Sequence, residues 1–168
     1  MTIAPRRRRL LAALLASGAA GACLSSRAMA QRAAEAALPL PADLRALARQ
    51  VRRERKPLLL FFTTPGCPYC IEVRRSYLAP RLAQPDSGGV LIRELSIVGE
   101  RRLIDLDGRP ITERALAARF AVAAVPVVRL VDERLQPLSD PLIGLNAAFY
   151  ESYLQSAIDA ARAALARG

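Results

Sequence analysis

The residues best suited to chemistry fall in one short stretch, Thr64-Pro65-Gly66-Cys67-Pro68-Tyr69-Cys70. Two cysteines separated by two residues can close a small disulfide ring when they sit where a helix begins. A thiol at that position faces unpaired backbone N–H groups and the positive end of the helix dipole, so its thiolate is favoured. The effect lowers a thiol from about 8.5 towards neutrality and makes Cys67 the attacking sulfur. Cys70, one turn further in and more buried, then resolves the mixed disulfide. Pro68 suits the first helical turn, where its missing N–H is not needed. A C-x-x-C can also be half of a zinc site, but no second cysteine pair and no histidine exists to complete one. A purely structural disulfide is the other alternative, weakened because so short a loop removes little entropy from the unfolded chain.

The remaining composition narrows the chemistry. The chain has 168 residues, 52% apolar and 24% charged, which is one domain's worth and too apolar for disorder. Histidine is absent, excluding Ser/His/Asp and Cys/His catalysis and every histidine-containing metal site. Three cysteines are too few for a disulfide-dense scaffold or a four-thiolate zinc site. Copper carriage fits poorly without histidine or a methionine near the thiols. The eight aromatics are not interleaved with a basic stripe, which argues against nucleic acid as a partner.

The first thirty residues read as an address. Arg6 to Arg9 form a positive end, Leu10 to Leu24 follow without a charge, and Ala28-Met29-Ala30 makes a cleavage signal before Gln31. These are the parts of a secretory signal peptide over residues 1–30, by the general or the twin-arginine route. The apolar run is short for a membrane span. Cys23 in Ala20-Gly21-Ala22-Cys23 offers a weaker alternative, a lipidated anchor. Residues 1–30 hold five arginines and no acid, so cleavage takes the net charge from +10 to +5 and leaves Cys67 and Cys70 as the only cysteines.

The elements that must position those two cysteines follow. Residues 31–41 lack a period and read as a linker. Asp43 can cap a helix whose stripe is Leu44, Leu47, Ala48 and Val51. Leu58 to Phe62 is a continuous apolar run, the pattern of a strand covered on both faces. The next helix begins at Cys67-Pro68 and is predicted to stop before Pro80. A second strand spans Val90 to Ile97, and Gly99 to Pro110 is a long connection. Thr112 caps a short helix with Leu116 and Phe120. A third strand spans Val125 to Val131, Asp132 to Leu138 is a turn region, and Pro141 to Gly144 is an edge strand. Asn146 is predicted to cap a closing helix carrying Tyr150, Leu154, Ile158, Ala161 and Leu165.

Strand, C-x-x-C and helix, then a Val-Pro opening a later strand, together resemble the thioredoxin fold over about residues 42–166. The resemblance implies an α/β domain at 42–168, with a central mixed β-sheet flanked by helices. It implies that Pro126 is the family's cis-proline beside the disulfide and that Val125 supplies the backbone edge for a substrate peptide. Pro68 and Tyr69 complete the expected substrate contacts. The pair Pro68-Tyr69 is common in glutaredoxins, but dependence on glutathione suits an exported chain poorly. Two features depart from thioredoxins. Pro65-Gly66 replaces the usual aromatic before the first cysteine in a chain without tryptophan, and Phe61 stands where a buried carboxylate lies in that family. Such an acid takes the proton of the resolving thiol. Glu72 is the nearest acid in sequence, is expected in solvent, and leaves water as the acceptor.

The function so implied is an exported, periplasmic thiol–disulfide oxidoreductase that exchanges electrons with protein disulfides or dithiols, leaning to a reductase fed by a membrane-bound electron donor. The dithiol is its own redox group, so no cofactor and no metal is expected, and the protein is expected to be a monomer. The rival is a binding adaptor of the same fold whose disulfide is only a staple.

Overall fold

Strand β1 decides the arrangement, because all six of its residues are buried. The computed structural model describes residues 37–167, so the expected signal peptide, Cys23 and most of the expected linker lie outside the described residues. In chain order the elements are α1 (Leu44–Glu54), β1 (Leu58–Thr63), α2 (Pro68–Val73), α3 (Ala79–Leu82), β2 (Leu91–Ser96), β3 (Arg102–Ile104), β4 (Pro110–Thr112), α4 (Glu113–Arg119), β5 (Val127–Val131), β6 (Leu142–Ile143) and α5 (Tyr150–Arg167). The main sheet is mixed, in the order β2-β1-β5-β6. β2 runs parallel to β1 with Thr63 opposite Ser96, and β5 runs antiparallel with Phe62 opposite Val127.

Successive side chains of β1 point to opposite faces and seed two cores. Leu59 and Phe61 pack with Cys70, Val73, Leu154 and Ile158, so α2 and α5 cover one face. Leu58, Leu60 and Phe62 pack with Leu44, Leu47, Val51 and Leu116, so α1 and α4 cover the other. The α1 stripe read from sequence is the buried face, and Asp43 caps it by accepting the N–H of Arg45 at 2.8 Å and of Ala46 at 3.3 Å. Thr112 caps α4 in the same way through the Ala115 N–H. Before α1, Leu38 is buried and the Pro39 carbonyl accepts the Glu94 N–H at 2.9 Å, so the packed chain already includes this stretch.

Four local expectations are corrected. The helix carrying the cysteines does not stop before Pro80. A π-helical turn at Arg74–Leu78 lets the Ala79 N–H reach back to the Arg74 carbonyl, and Pro80 then falls in the first turn of α3. A proline has no intrahelical N–H bond to lose there. The connection from Gly99 to Pro110 contains a hairpin, with Arg102 opposite Thr112 and Ile104 opposite Pro110. Gly108 lies in the turn between the two strands at a φ of +87°, a conformation that glycine takes without strain. Strand β5 starts at Val127 rather than Val125, since Pro126 has no N–H to give the ladder. Asn146 does not cap the closing helix: its carbonyl accepts the Phe149 N–H at 3.1 Å in a turn, and α5 begins at Tyr150.

Ion pairs fasten the hairpin to α4. Arg119 lies 2.5 Å from Asp105, and Arg101 lies 2.8 Å from Glu113 while also donating to the Pro41 carbonyl at 2.6 Å. Among the described residues no helix is long and apolar enough to cross a membrane.

Candidate active site

The chain leaves β1 through a tight turn built by Pro65 and Gly66. The Cys67 N–H donates to the Thr64 carbonyl, and Gly66 sits at a φ of +74°. Glycine is the residue that takes this conformation without strain at the third position of such a turn, and proline presets the second. The departure from the thioredoxin pattern at these two residues is therefore what sets the entry into α2.

Cys67 is the N-cap of α2, with extended backbone at φ −76° and ψ 109°, and Pro68 occupies the first turn. Cys67 Sγ accepts the Cys70 N–H at 3.1 Å, one of the donors a helix start leaves without an intrahelical partner. A disulfide joins Cys67 to Cys70, with their Cα atoms 5.2 Å apart. Cys67 is half-buried and Cys70 is 1% exposed, so a partner sulfur approaching from solvent meets Cys67 first. In the reduced state the helix-end N–H groups would favour the Cys67 thiolate. Tyr69 stands out from this end of the helix at 64% exposure.

The antiparallel pairing that puts Phe62 opposite Val127 carries Val125 and Pro126 to the same end of β1 as the disulfide loop. Val125 and Cys67 pack against one core cluster, and the Val125–Pro126 peptide bond is cis. Pro126 is buried, and its carbonyl accepts the Gly144 N–H at 2.8 Å, tying it to the chain just past β6.

One acid was not legible from the spacing of the motif. Glu94 projects from β2 on the face of the sheet that also carries Phe61 and Cys70, and a cavity of about 400 Å³ is lined by Cys67, Ile71, Arg74, Glu94 and Ser96. Its carboxylate is bound on both oxygens by Arg74 of the helical turn after α2, with Nε at 2.9 Å, and it also accepts the Thr63 hydroxyl at 3.1 Å. The carboxylate beside Arg74 raises the guanidinium's pKa against the opposing effect of burial. Ser96 Oγ, on the wall of this cavity, is buried without a hydrogen-bond partner. Glu72 instead accepts the Ser76 hydroxyl on the exposed side of the helix. Sequence reasoning looked for an acid on β1 and along the active-site helix, whereas Glu94 arrives from the neighbouring strand. The only sequence signal is the charged pair Arg93-Glu94 inside an otherwise apolar strand.

Among the described residues no group of three or more cysteines or carboxylates could hold a metal ion. The arrangement provides a reactive disulfide at a helix start, an accessible outer sulfur, a shielded inner one, and a neutralised carboxylate in the adjoining cavity.

No protein-family model matches the chain, and no curated protein sequence matches it. Solved structures do. A "DsbH oxidoreductase" is 18% identical, with 73% of this chain and 86% of that one covered at a TM-score of 0.52. A thioredoxin from Halobacterium salinarum is 20% identical over 74% of this chain and 91% of that one, at 0.47. The C-terminal domain of DsbD from Neisseria meningitidis, in its oxidised form, is 18% identical over 70% and 97%, at 0.44. Together with the mixed sheet and the helices on both its faces, the first of these likenesses identifies the fold of this chain as that of thioredoxin.

Proposed function

We propose that the protein is an exported thiol–disulfide oxidoreductase acting on protein disulfides. The observation that carries this reading is the Cys67–Cys70 disulfide at the start of α2, with one sulfur half-buried and the other enclosed. In the reducing direction the Cys67 thiolate attacks one sulfur of a target disulfide, forming a mixed disulfide and releasing the other target sulfur as a thiolate. Deprotonated Cys70 then attacks Cys67 Sγ, releasing the second target sulfur. Two electrons pass to the target, and the Cys67–Cys70 disulfide forms. A dithiol donor must reduce it before the next turnover, and a membrane-bound partner is the donor this reading assigns. Glu94 and Arg74 border the same cavity as Cys67 and form a nearly neutral pair, so they tune the thiol only through their imbalance.

The extended substrate is assigned to the Val125–Pro126 edge, with Pro68 and exposed Tyr69 flanking the attacked sulfur. Residues 1–30 serve as the signal peptide and residues 31–41 as the lead into a single domain, which works in the periplasm as a monomer. Support for export comes from the positive end, the apolar run and the Ala-Met-Ala before Gln31. A reductase role is favoured over disulfide donation because no histidine lies between the cysteines to stabilise the reduced form further.

The test is capture. A Cys70→Ala variant expressed with its leader is expected to accumulate mixed disulfides on Cys67 with exported proteins, released by dithiothreitol and absent from the double cysteine variant. Failure to trap any partner while the wild-type disulfide stays inert to dithiols would sink the enzymatic reading and leave a structural staple.

A further inference from the structure

At the other end of β1 the molecule has a second feature that thiol chemistry does not use. A depression of about 520 Å³ opens between the end of α1, the turn after β5 and the last turns of α5. Arg52, Arg55, Arg134 and Arg162 border it, against the two acids Asp132 and Glu133. Its lining is mixed: beside the charged groups, Leu138, Ala164 and Leu165 offer a smaller apolar surface over buried Val51, and no aromatic side chain lies there among the described residues.

Several arginines elsewhere are paired, Arg74 with Glu94, Arg81 with Glu151, Arg101 with Glu113 and Arg119 with Asp105, whereas Arg49, Arg75 and Arg102 are exposed singly on the surface without an ion pair among the described residues. Among the described residues no carboxylate lies within ion-pair distance of Arg52, Arg55 or Arg162. Asp132 is occupied by its own turn, accepting the N–H of Arg134 at 2.8 Å and of Gln136 at 2.7 Å, and Glu133 reaches only Arg134, at 4.0 Å. Arg162 is held in place, since its guanidinium lies against Gly89 so closely that a Cβ there would come within 3.3 Å of it. The helix dipole accounts for a cation in the last turn of α1. It does not account for Arg134, which lies in a turn, or for Arg162, since α5 continues more than a turn beyond it to Arg167.

Four arginines from segments far apart in sequence thus border one depression with only two acids among the described residues, Asp132 held by its own turn and Glu133 at 4.0 Å from Arg134, so cationic groups outnumber acids beside its apolar lining. The guanidinium fork geometry suits phosphate or carboxylate oxygens, and that lining rewards an attached alkyl chain. The missing aromatics leave nothing for a nucleobase to stack on. We propose that this depression binds an anionic amphiphile, an oxyanion head on an apolar stem, at the end of the sheet opposite the disulfide.

The test is calorimetric titration of the full domain with hexyl phosphate at low ionic strength. Saturable one-to-one binding is expected, with inorganic phosphate binding several-fold more weakly. The Arg52→Gln/Arg162→Gln variant should lose affinity by about tenfold or more, as for a charged hydrogen bond removed. Arg109→Gln/Arg114→Gln, two exposed residues around the β3–β4 hairpin and α4 with the same change of net charge, should retain it. A sedimentation arm separates the sources. Retention by phosphatidylglycerol-containing but not phosphatidylcholine vesicles, lost in Arg52→Gln/Arg162→Gln, identifies a membrane lipid, whereas hexyl phosphate binding without retention identifies a soluble amphiphile. The proposal is overturned by no saturable binding, by equal loss in both double variants, or by inorganic phosphate binding as tightly as hexyl phosphate.

Discussion

At the C-terminal end of β1, Arg74 is bound by both oxygens of Glu94, and the same carboxylate takes the Thr63 hydroxyl. At the N-terminal end, roughly 20 Å away for a strand of this length, Arg52 and Arg55 have no carboxylate partner among the described residues. The first arrangement costs desolvation and recovers it through bonds inside the fold. The second keeps its charges in water, at little cost, ready for something outside. Arginine count would not separate the two ends; what separates them is whether a carboxylate is folded against the guanidinium. A buried charge stripped of its partner is strongly destabilising, while an exposed one is nearly neutral.

The largest effect belongs to the sulfur: Cys67→Ser is expected to abolish disulfide exchange, read as loss of insulin reduction in the presence of dithiothreitol beyond the uncatalysed rate. Residual exchange through Cys70 alone would mean that the inner sulfur is accessible and that the two cysteines have been assigned the wrong roles. Next comes Glu94→Gln, which leaves Arg74 at 22% side-chain exposure without a carboxylate. Chemical denaturation should show a loss of about 1.5–3 kcal/mol, as for a charged hydrogen bond removed. In that variant the reduced Cys67 thiol should also titrate lower than in wild type, and in Arg74→Gln higher, measured by iodoacetamide reactivity against pH. Shifts of the same sign in both variants would show that the pair does not act on the thiol through charge.

A committed pair remote from the sulfur gives an intermediate effect with a pH signature. The Arg119 guanidinium beside Asp105 holds its carboxyl below the ordinary 3.8, with burial opposing. A lowered folded pKa means that the unfolded chain binds the proton more readily. The stabilisation is therefore present above the unfolded pKa and is lost as pH falls through the folded one. Asp105→Asn should cost about 1–2 kcal/mol near neutral pH and progressively less in acid, checked by urea titrations at several pH values. A cost independent of pH would assign the loss to packing. The smallest effect is expected at the uncommitted end, where Arg52→Gln/Arg55→Gln should change stability by no more than about 0.5 kcal/mol. A larger loss would show that these arginines are structural.

Much of the fold was legible because burial repeats with a period. The stripe Leu44, Leu47, Ala48, Val51 is the buried face of α1, and the run beginning at Leu58 is the strand between the two cores. Pro80 misled because proline is forbidden only relative to a regular helix, and the π turn ahead of it restarts the register. The hairpin of β3 and β4 was hidden because each strand has three residues, too few to display an alternation. Asn146 had a capping side chain in the right region, but side-chain chemistry alone does not say which of several turns before a helix is the last.

By itself the sequence determined the reactive pair, since the spacing of Cys67 and Cys70 and the strand before them are local properties of the chain. It also determined that no histidine could assist them. Only the tertiary structure decided which charges surround the pair and which do not. Glu94 reaches the disulfide cavity because parallel pairing sets β2 beside β1 with Phe61 opposite Glu94, and Arg162 borders the same depression as Arg52 because the last turns of α5 lie beside the end of α1. Contacts between residues dozens of positions apart follow from register and packing, which no local spacing encodes.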